Sequence, residues 1–129
     1  MLKEGLKFKL ENVVTYEQTA AALGNEGVEV FATTEMILLV ESASKRCIDP
    51  YLEPGQGSVG TRIDMAHTGA TPVGETVVCN VELKEVSGRK LVFAFECTDE
   101  SGVVGKGTHE RFVVDMEKFM AKIKAKTAK

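Results

Sequence analysis

The C-terminal half of this chain reads as four β-strands, each with one apolar face, and only one helical segment is long and apolar enough to cover those faces. From about Ser58 to His67, Glu75 to Val86, Lys90 to Thr98 and Val103 to Val114, residues alternate at the strand period. Val77, Cys79, Val81 and Leu83 share one face of the second run, and Leu91, Phe93, Phe95 and Cys97 one face of the third. Ser87-Gly88 and Glu100-Ser101-Gly102 supply the hairpin turns. The covering helix starts near Thr33 or Thr34, either of which can cap it, and ends before Pro50, whose ring disfavours helix at Asp49. Upstream, Leu6 to Val14 predicts a first strand. Thr15-Tyr16-Glu17-Gln18 has capping-box spacing and opens a short helix to about Leu23, which Gly24-Asn25-Glu26-Gly27 breaks. The pattern therefore predicts an α+β fold, an antiparallel sheet wrapped around one long central α-helix.

The size, 129 residues with 43% hydrophobic side chains, fits a single domain over residues 1–129 with a modest core. No apolar run approaches the roughly 20 residues that span a bilayer. The first residues, Met1-Leu2-Lys3-Glu4-Gly5, lack the apolar stretch of a secretion signal, so a cytoplasmic protein without membrane contacts is expected. A net charge of −3 gives no electrostatic case for nucleic acid, and the lysine-rich tail Lys118 to Lys129 reads as a solvated amphipathic helix. Cys47, Cys79 and Cys97 lie in apolar contexts without ligand-like spacing, which predicts reduced core residues and no structural zinc.

The apolar segment of this helix, Met36-Ile37-Leu38-Leu39-Val40-Glu41-Ser42-Ala43-Ser44, holds one carboxylate, Glu41. An ionised acid buried there without a partner costs several kcal/mol, roughly, so it must be paired, protonated or functional. Candidate partners are Thr33 and His67, the latter in His67-Thr68-Gly69-Ala70-Thr71-Pro72. A threonine, a buried acid and a histidine suit acyl-group chemistry. On one regular helix Thr33 and Glu41 are about 12 Å apart along the axis. Either Thr33 belongs to a loop that folds back, or the site mixes two chains. His109, the other histidine, alternates with Gly107 and Arg111 on one strand face and reads as structural. Gly55, Gly57 and Gly60 follow the helix and precede a strand, which excludes a phosphate loop and leaves a turn plus one close backbone approach.

The segments Val30-Phe31-Ala32-Thr33, Glu41, Pro50-Tyr51-Leu52-Glu53-Pro54-Gly55-Gln56-Gly57-Ser58-Val59-Gly60-Thr61, His67 to Pro72 and Gly107-Thr108-His109-Glu110-Arg111, in that order and spacing, resemble the fluoroacetyl-CoA thioesterase family. The resemblance implies a homodimeric hotdog fold with its active site at the subunit interface and an acyl-CoA substrate. By family position Thr33, Glu41 and His67 are the catalytic trio, Gly60 gives backbone contacts to the acyl thioester, and Arg111 matches an arginine near the substrate pocket. No cofactor is implied. The family's fluoroacetate-specific enzyme carries a hydrophobic lid with a phenylalanine gate, where this chain has a shorter approach and Gly27, so a broader acyl-CoA hydrolase is expected.

Hydrolysis of a small or short-chain acyl-CoA to the free acid and CoA asks for an attacking group, a proton acceptor and oxyanion donors. Glu41 can serve as general base on water or attack the carbonyl directly, and the sequence leaves both open. Two other readings stay in view: a hotdog hydratase or dehydratase, which forms an enoyl product without free thiol, and a non-catalytic acyl-CoA-binding protein, which binds without turnover.

Overall fold

A computed structural model describes residues 2–127 and has the expected order of elements. These are β1 (Lys7–Val13), α1 (Thr33–Ile48), β2 (Gln56–His67), β3 (Thr76–Ser87), β4 (Lys90–Asp99), β5 (Gly102–Asp115) and α2 (Met116–Thr127). All pairings are antiparallel, in the order β1-β3-β4-β5-β2. The sheet wraps α1, as the count of apolar faces required.

On α1, Met36, Leu39, Val40, Ala43, Cys47 and Ile48 are buried, a spacing that draws one stripe down the helix. They meet Val77, Cys79, Val81 and Leu83 of β3 and Leu91, Phe93, Phe95 and Cys97 of β4, all buried on the faces predicted for them. Each Val, Leu, Ile, Phe or Met among them stabilises the fold by about 1.5–3 kcal/mol on burial. Ser44, also buried, returns its hydroxyl to the Val40 carbonyl at 2.8 Å and so leaves no unmet donor in the core. The three cysteines are free and buried.

Three local expectations are corrected and a fourth is met. The residue that caps α1 is Ala32, with no side-chain cap bond, so Thr33 lies inside the first turn and its hydroxyl is free for other work. Asp49 keeps an α-helical backbone despite the following proline, and the chain runs on into a 3₁₀ turn, Asp49–Tyr51. Its N–H reaches the Lys45 carbonyl and its carboxylate pairs with the Lys45 ammonium, which together hold that conformation. The helix predicted after Thr15 is only a three-residue 3₁₀ turn, Tyr16–Gln18. The capping bond is made, from the Thr15 N–H to Gln18 Oε1 at 3.1 Å, but Thr19 turns extended and bridges to Phe31, which ends the helical path. Finally, α2 carries the lysine-rich tail and buries none of its described residues, in keeping with a solvated helix; Ala128 and Lys129 lie outside the described residues.

Two features of β2 bear on the site. It is a sheet edge twelve residues long, with its outer side unpaired among the described residues. Its pairing with β5 also shifts by one residue between Gly60 and Arg62, a bulge that re-aims the strand. Beyond the bulge Gly107 pairs with Met65, and the two backbones run so close that a Cβ on Gly107 would collide with the Asp64 carbonyl. We expect Gly107→Ala to lower unfolding stability by at least about 2 kcal/mol in urea titration, because backbone cannot yield as a side chain can. An unchanged midpoint would contradict this β2–β5 approach.

Candidate active site

Thr33 and His67 come together through the loop that follows β2. Thr68 and Gly69 donate backbone N–H groups to the Val104 carbonyl at 2.7 and 3.1 Å, which turns the chain at the end of β2. Thr71, fully buried, donates its hydroxyl to Asp99 at 2.7 Å while its carbonyl accepts the Phe31 N–H at 2.8 Å. Val30 bridges to Pro72. The strand entering α1 is thus fastened to the loop leaving β2, and Thr33 arrives beside His67 with Oγ1 2.8 Å from Nδ1. The other ring nitrogen, Nε2, is buried and has no hydrogen-bond partner among the described residues. A buried polar atom left unpaired is costly, and sites of chemistry are where such atoms persist.

Glu41 lies elsewhere in the protomer. Its carboxylate rests against Gly60, where a Cβ would collide with Oε2 of Glu41 and come within 3.3 Å of His109 Cε1. Arg111 Nη1 stands 3.6 Å from the same Oε2. Contrary to the sequence expectation, Glu41 is not a buried acid: 41% of its side chain is exposed, whereas that of Arg111 is only 6% exposed. The reason is its position on the flank of α1, outside the buried stripe, with the cation tucked beneath it. Leu38, one turn earlier on the helix, is 55% exposed and lines the groove between α1 and β1 together with Leu10 and Asn12.

Arg111 is held on several sides. Nε donates to Ser58 Oγ at 2.8 Å and Nη2 to the Ser58 carbonyl at 3.0 Å. Nη1 faces His109 Nε2 at 3.3 Å. The Nδ1 of His109 lies 2.8 Å from the Arg62 carbonyl, which can only accept, so Nδ1 carries the proton and Nε2 accepts from Arg111. Burial holds the His109 pKa below its ordinary value; the Arg62 carbonyl opposes that and the Arg111 charge adds to it. Burial likewise lowers Arg111, opposed by the Glu41 charge. A guanidinium nevertheless stays protonated in a protein.

Of the residues named from sequence, Thr33 and His67 meet in one place, and Glu41, Gly60 and Arg111 in another. About 20 Å of strand separates Gly60 from His67 and about 12 Å of helix separates Thr33 from Glu41, so the trio does not assemble within one protomer. Sequence reading missed Ser58 as an arginine anchor. The signal was available in principle, since Ser58 and Gly60 share a strand face, but the register that sets that face against Arg111 was not. His109 has the structural setting expected of it, buried and stacked on Phe93 with ring centroids 6.2 Å apart.

A family model described as fluoroacetyl-CoA-specific thioesterase matches residues 14–117. The fluoroacetyl-CoA thioesterase of Streptantibioticus cattleyicolor is 43% identical across 98% of this chain and 95% of its own length. A solved structure of a threonine-to-serine mutant of the fluoroacetyl-CoA enzyme, in complex with acetyl-CoA, superposes with a TM-score of 0.93 at 42% identity, covering 98% of this chain and 100% of that one. A hot-dog-like protein from Thermanaerovibrio acidaminovorans, 21% identical over 98% of this chain and 93% of its own, shares the fold with a TM-score of 0.91.

The lowered His109 pKa makes a prediction about acid stability. The unfolded chain takes up a proton near the usual histidine pKa of about 6.5 while the folded chain resists it, so this group's contribution to stability is present above that pH and is lost as pH falls. We expect urea midpoints to fall between about pH 7 and 5, and to fall less steeply in His109→Gln. Equal slopes in the two proteins would show that His109 titrates freely.

Proposed function

Because this chain belongs to the fluoroacetyl-CoA-specific thioesterase family, we propose that it is an acyl-CoA thioesterase that hydrolyses small or short-chain acyl-CoA to the free acid and CoA. The observation that carries the reading is the Thr33–His67 hydrogen bond, which leaves the second imidazole nitrogen buried and without a partner among the described residues. In the proposed reaction Glu41 draws a proton from water or attacks the thioester carbonyl itself. Thr33 holds the attacking water or the carboxylate, His67 exchanges protons with them, and Gly60 lets the carbonyl approach the backbone. The C–S bond breaks, CoA leaves as a thiolate and takes up a proton, and the acid is released, at once where water attacked, or after a water hydrolyses the Glu41 acyl anhydride where the carboxylate attacked. Thiolate is a good leaving group, so the chain's own acids and bases suffice.

The working unit is a homodimer. Each protomer holds half of the trio at either end of β2, and the free edge of that strand offers backbone groups for pairing with a second copy. An antiparallel β2–β2 pairing centred between Ile63 and Asp64 sets His67 across from Gly60 of the partner subunit. Two equivalent sites result, each combining Thr33 and His67 of one subunit with Glu41 and Arg111 of the other. Gly27, with φ +86° and open space where a side chain would point, gives the approach to Thr33 no bulky gate, which suits a range of small acyl groups. The buried free cysteines fit a reducing compartment, and we place the enzyme in the cytoplasm.

The test is release of free thiol from a panel of acyl-CoA thioesters. Glu41→Ala and His67→Ala should each lower the rate at least about a hundredfold, and Thr33→Ala less. Silence of folded wild type across the panel would return the hydratase and binding-protein readings. A mixing experiment addresses the shared site. When Glu41→Ala and His67→Ala subunits exchange freely, half the dimers carry one intact site, and activity should recover to about a quarter of wild type. A mixture as inactive as its components would refute a site built from two subunits.

A further inference from the structure

Behind Glu41, Arg111 and His109 are buried more deeply than the carboxylate they serve, and the proposed reaction gives His109 no part. The geometry at Arg111 Nη1 is uneven. This nitrogen is 3.3 Å from His109 Nε2 but 3.6 Å from Glu41 Oε2, the second distance being too long for a hydrogen bond. Ser58 holds Nε and Nη2 through two further bonds, so the guanidinium plane is fixed and Nη1 alone has a choice of partner. An unrestrained arginine beside a carboxylate closes to a charge-assisted bond of about 2.7–2.9 Å.

We propose that His109 is a positioning residue: as a neutral acceptor anchored to the Arg62 carbonyl, it holds Arg111 Nη1 back from Glu41, so that the carboxylate feels the cation yet keeps its oxygens free for water or substrate. The bulge between Gly60 and Arg62 is what turns the Arg62 carbonyl onto the ring and fixes the tautomer. The groups facing His109 are Arg111 and Glu110 from β5 and Glu41 from α1; β4 presents only the Phe93 ring, and β2 the uncharged Arg62 carbonyl. Asp49 adds a weaker negative field at Arg111.

This inference rests on the thioesterase reading for its kinetic test, so a second readout that needs no activity accompanies it. His109→Asn keeps an amide N–H for the Arg62 carbonyl but is too short to accept from Arg111, whereas His109→Gln places an acceptor where Nε2 stands. In His109→Asn we expect kcat to fall about tenfold with KM within about twofold of wild type, and the acid limb of the kcat profile to move to lower pH as the guanidinium closes on the carboxylate. His109→Gln should restore kcat to within about threefold. Crystal structures should show the Arg111–Glu41 separation below about 3.2 Å in His109→Asn and unchanged in His109→Gln. Equal loss in both variants, or a separation in His109→Asn that stays as in wild type, would overturn the proposal. If the wild type hydrolyses no thioester but the separation closes in His109→Asn, the thioesterase reading fails and the positioning role stands.

Discussion

The burial of one helix against the apolar faces of β3 and β4 is the interaction on which the rest of the structure depends. A sheet with one greasy side has to cover it, and α1 is the element with enough apolar surface. Once α1 lies in the concave face, its stripe of Met36, Val40, Ala43 and Cys47 points inward and its flanks are committed to the margins of the sheet. Thr33 and Glu41 sit on those margins. Their distance from one another is then a property of the helix, two turns and a fraction, and no loop movement alters it.

The same packing explains why the residues singled out from sequence fall into two separate groups. Strand β2 forms an edge, with His67 at its end and Gly60 near its beginning, and the two lie beside opposite parts of α1. Glycine appears at the close approaches: Gly60 where the Glu41 carboxylate leans on the strand, Gly107 where β5 and β2 crowd together. These positions exchange local chain entropy for room at the site, a cost of about 0.5–1 kcal/mol each relative to alanine in a strand. The bulge beside Gly60 adds a second consequence, since it frees a carbonyl to orient a buried histidine.

Polar groups inside the structure differ in how well they are satisfied. Thr71, Ser44 and the guanidinium of Arg111 have partners suited to their chemistry, and they rigidify the loop, the helix and the strand that carry them. Among the described residues His67 is the exception, with one nitrogen engaged and the other buried without a partner. In the proposed dimer a second subunit laid against the β2 edge would change its surroundings and those of Glu41 together.

By itself the sequence determined the strands, their buried faces, the single covering helix and the residue types from which a site can be built. These follow from periods of two and 3.6 residues and from the cost of an acid in an apolar segment, all of which are local or compositional. Its reading of Glu41 as buried failed because burial depends on which flank of the helix meets the sheet, and four residues of sequence do not specify that angle. The meeting of Thr33 with His67 was decided by the Phe31–Thr71 backbone bond, across forty positions of chain. The support of Glu41 by Arg111, Ser58 and His109 was decided by the register of β2 on β5 and by one bulge within it. Register and bulges are settled by the packing of the whole sheet, so these contacts belong to the tertiary structure alone.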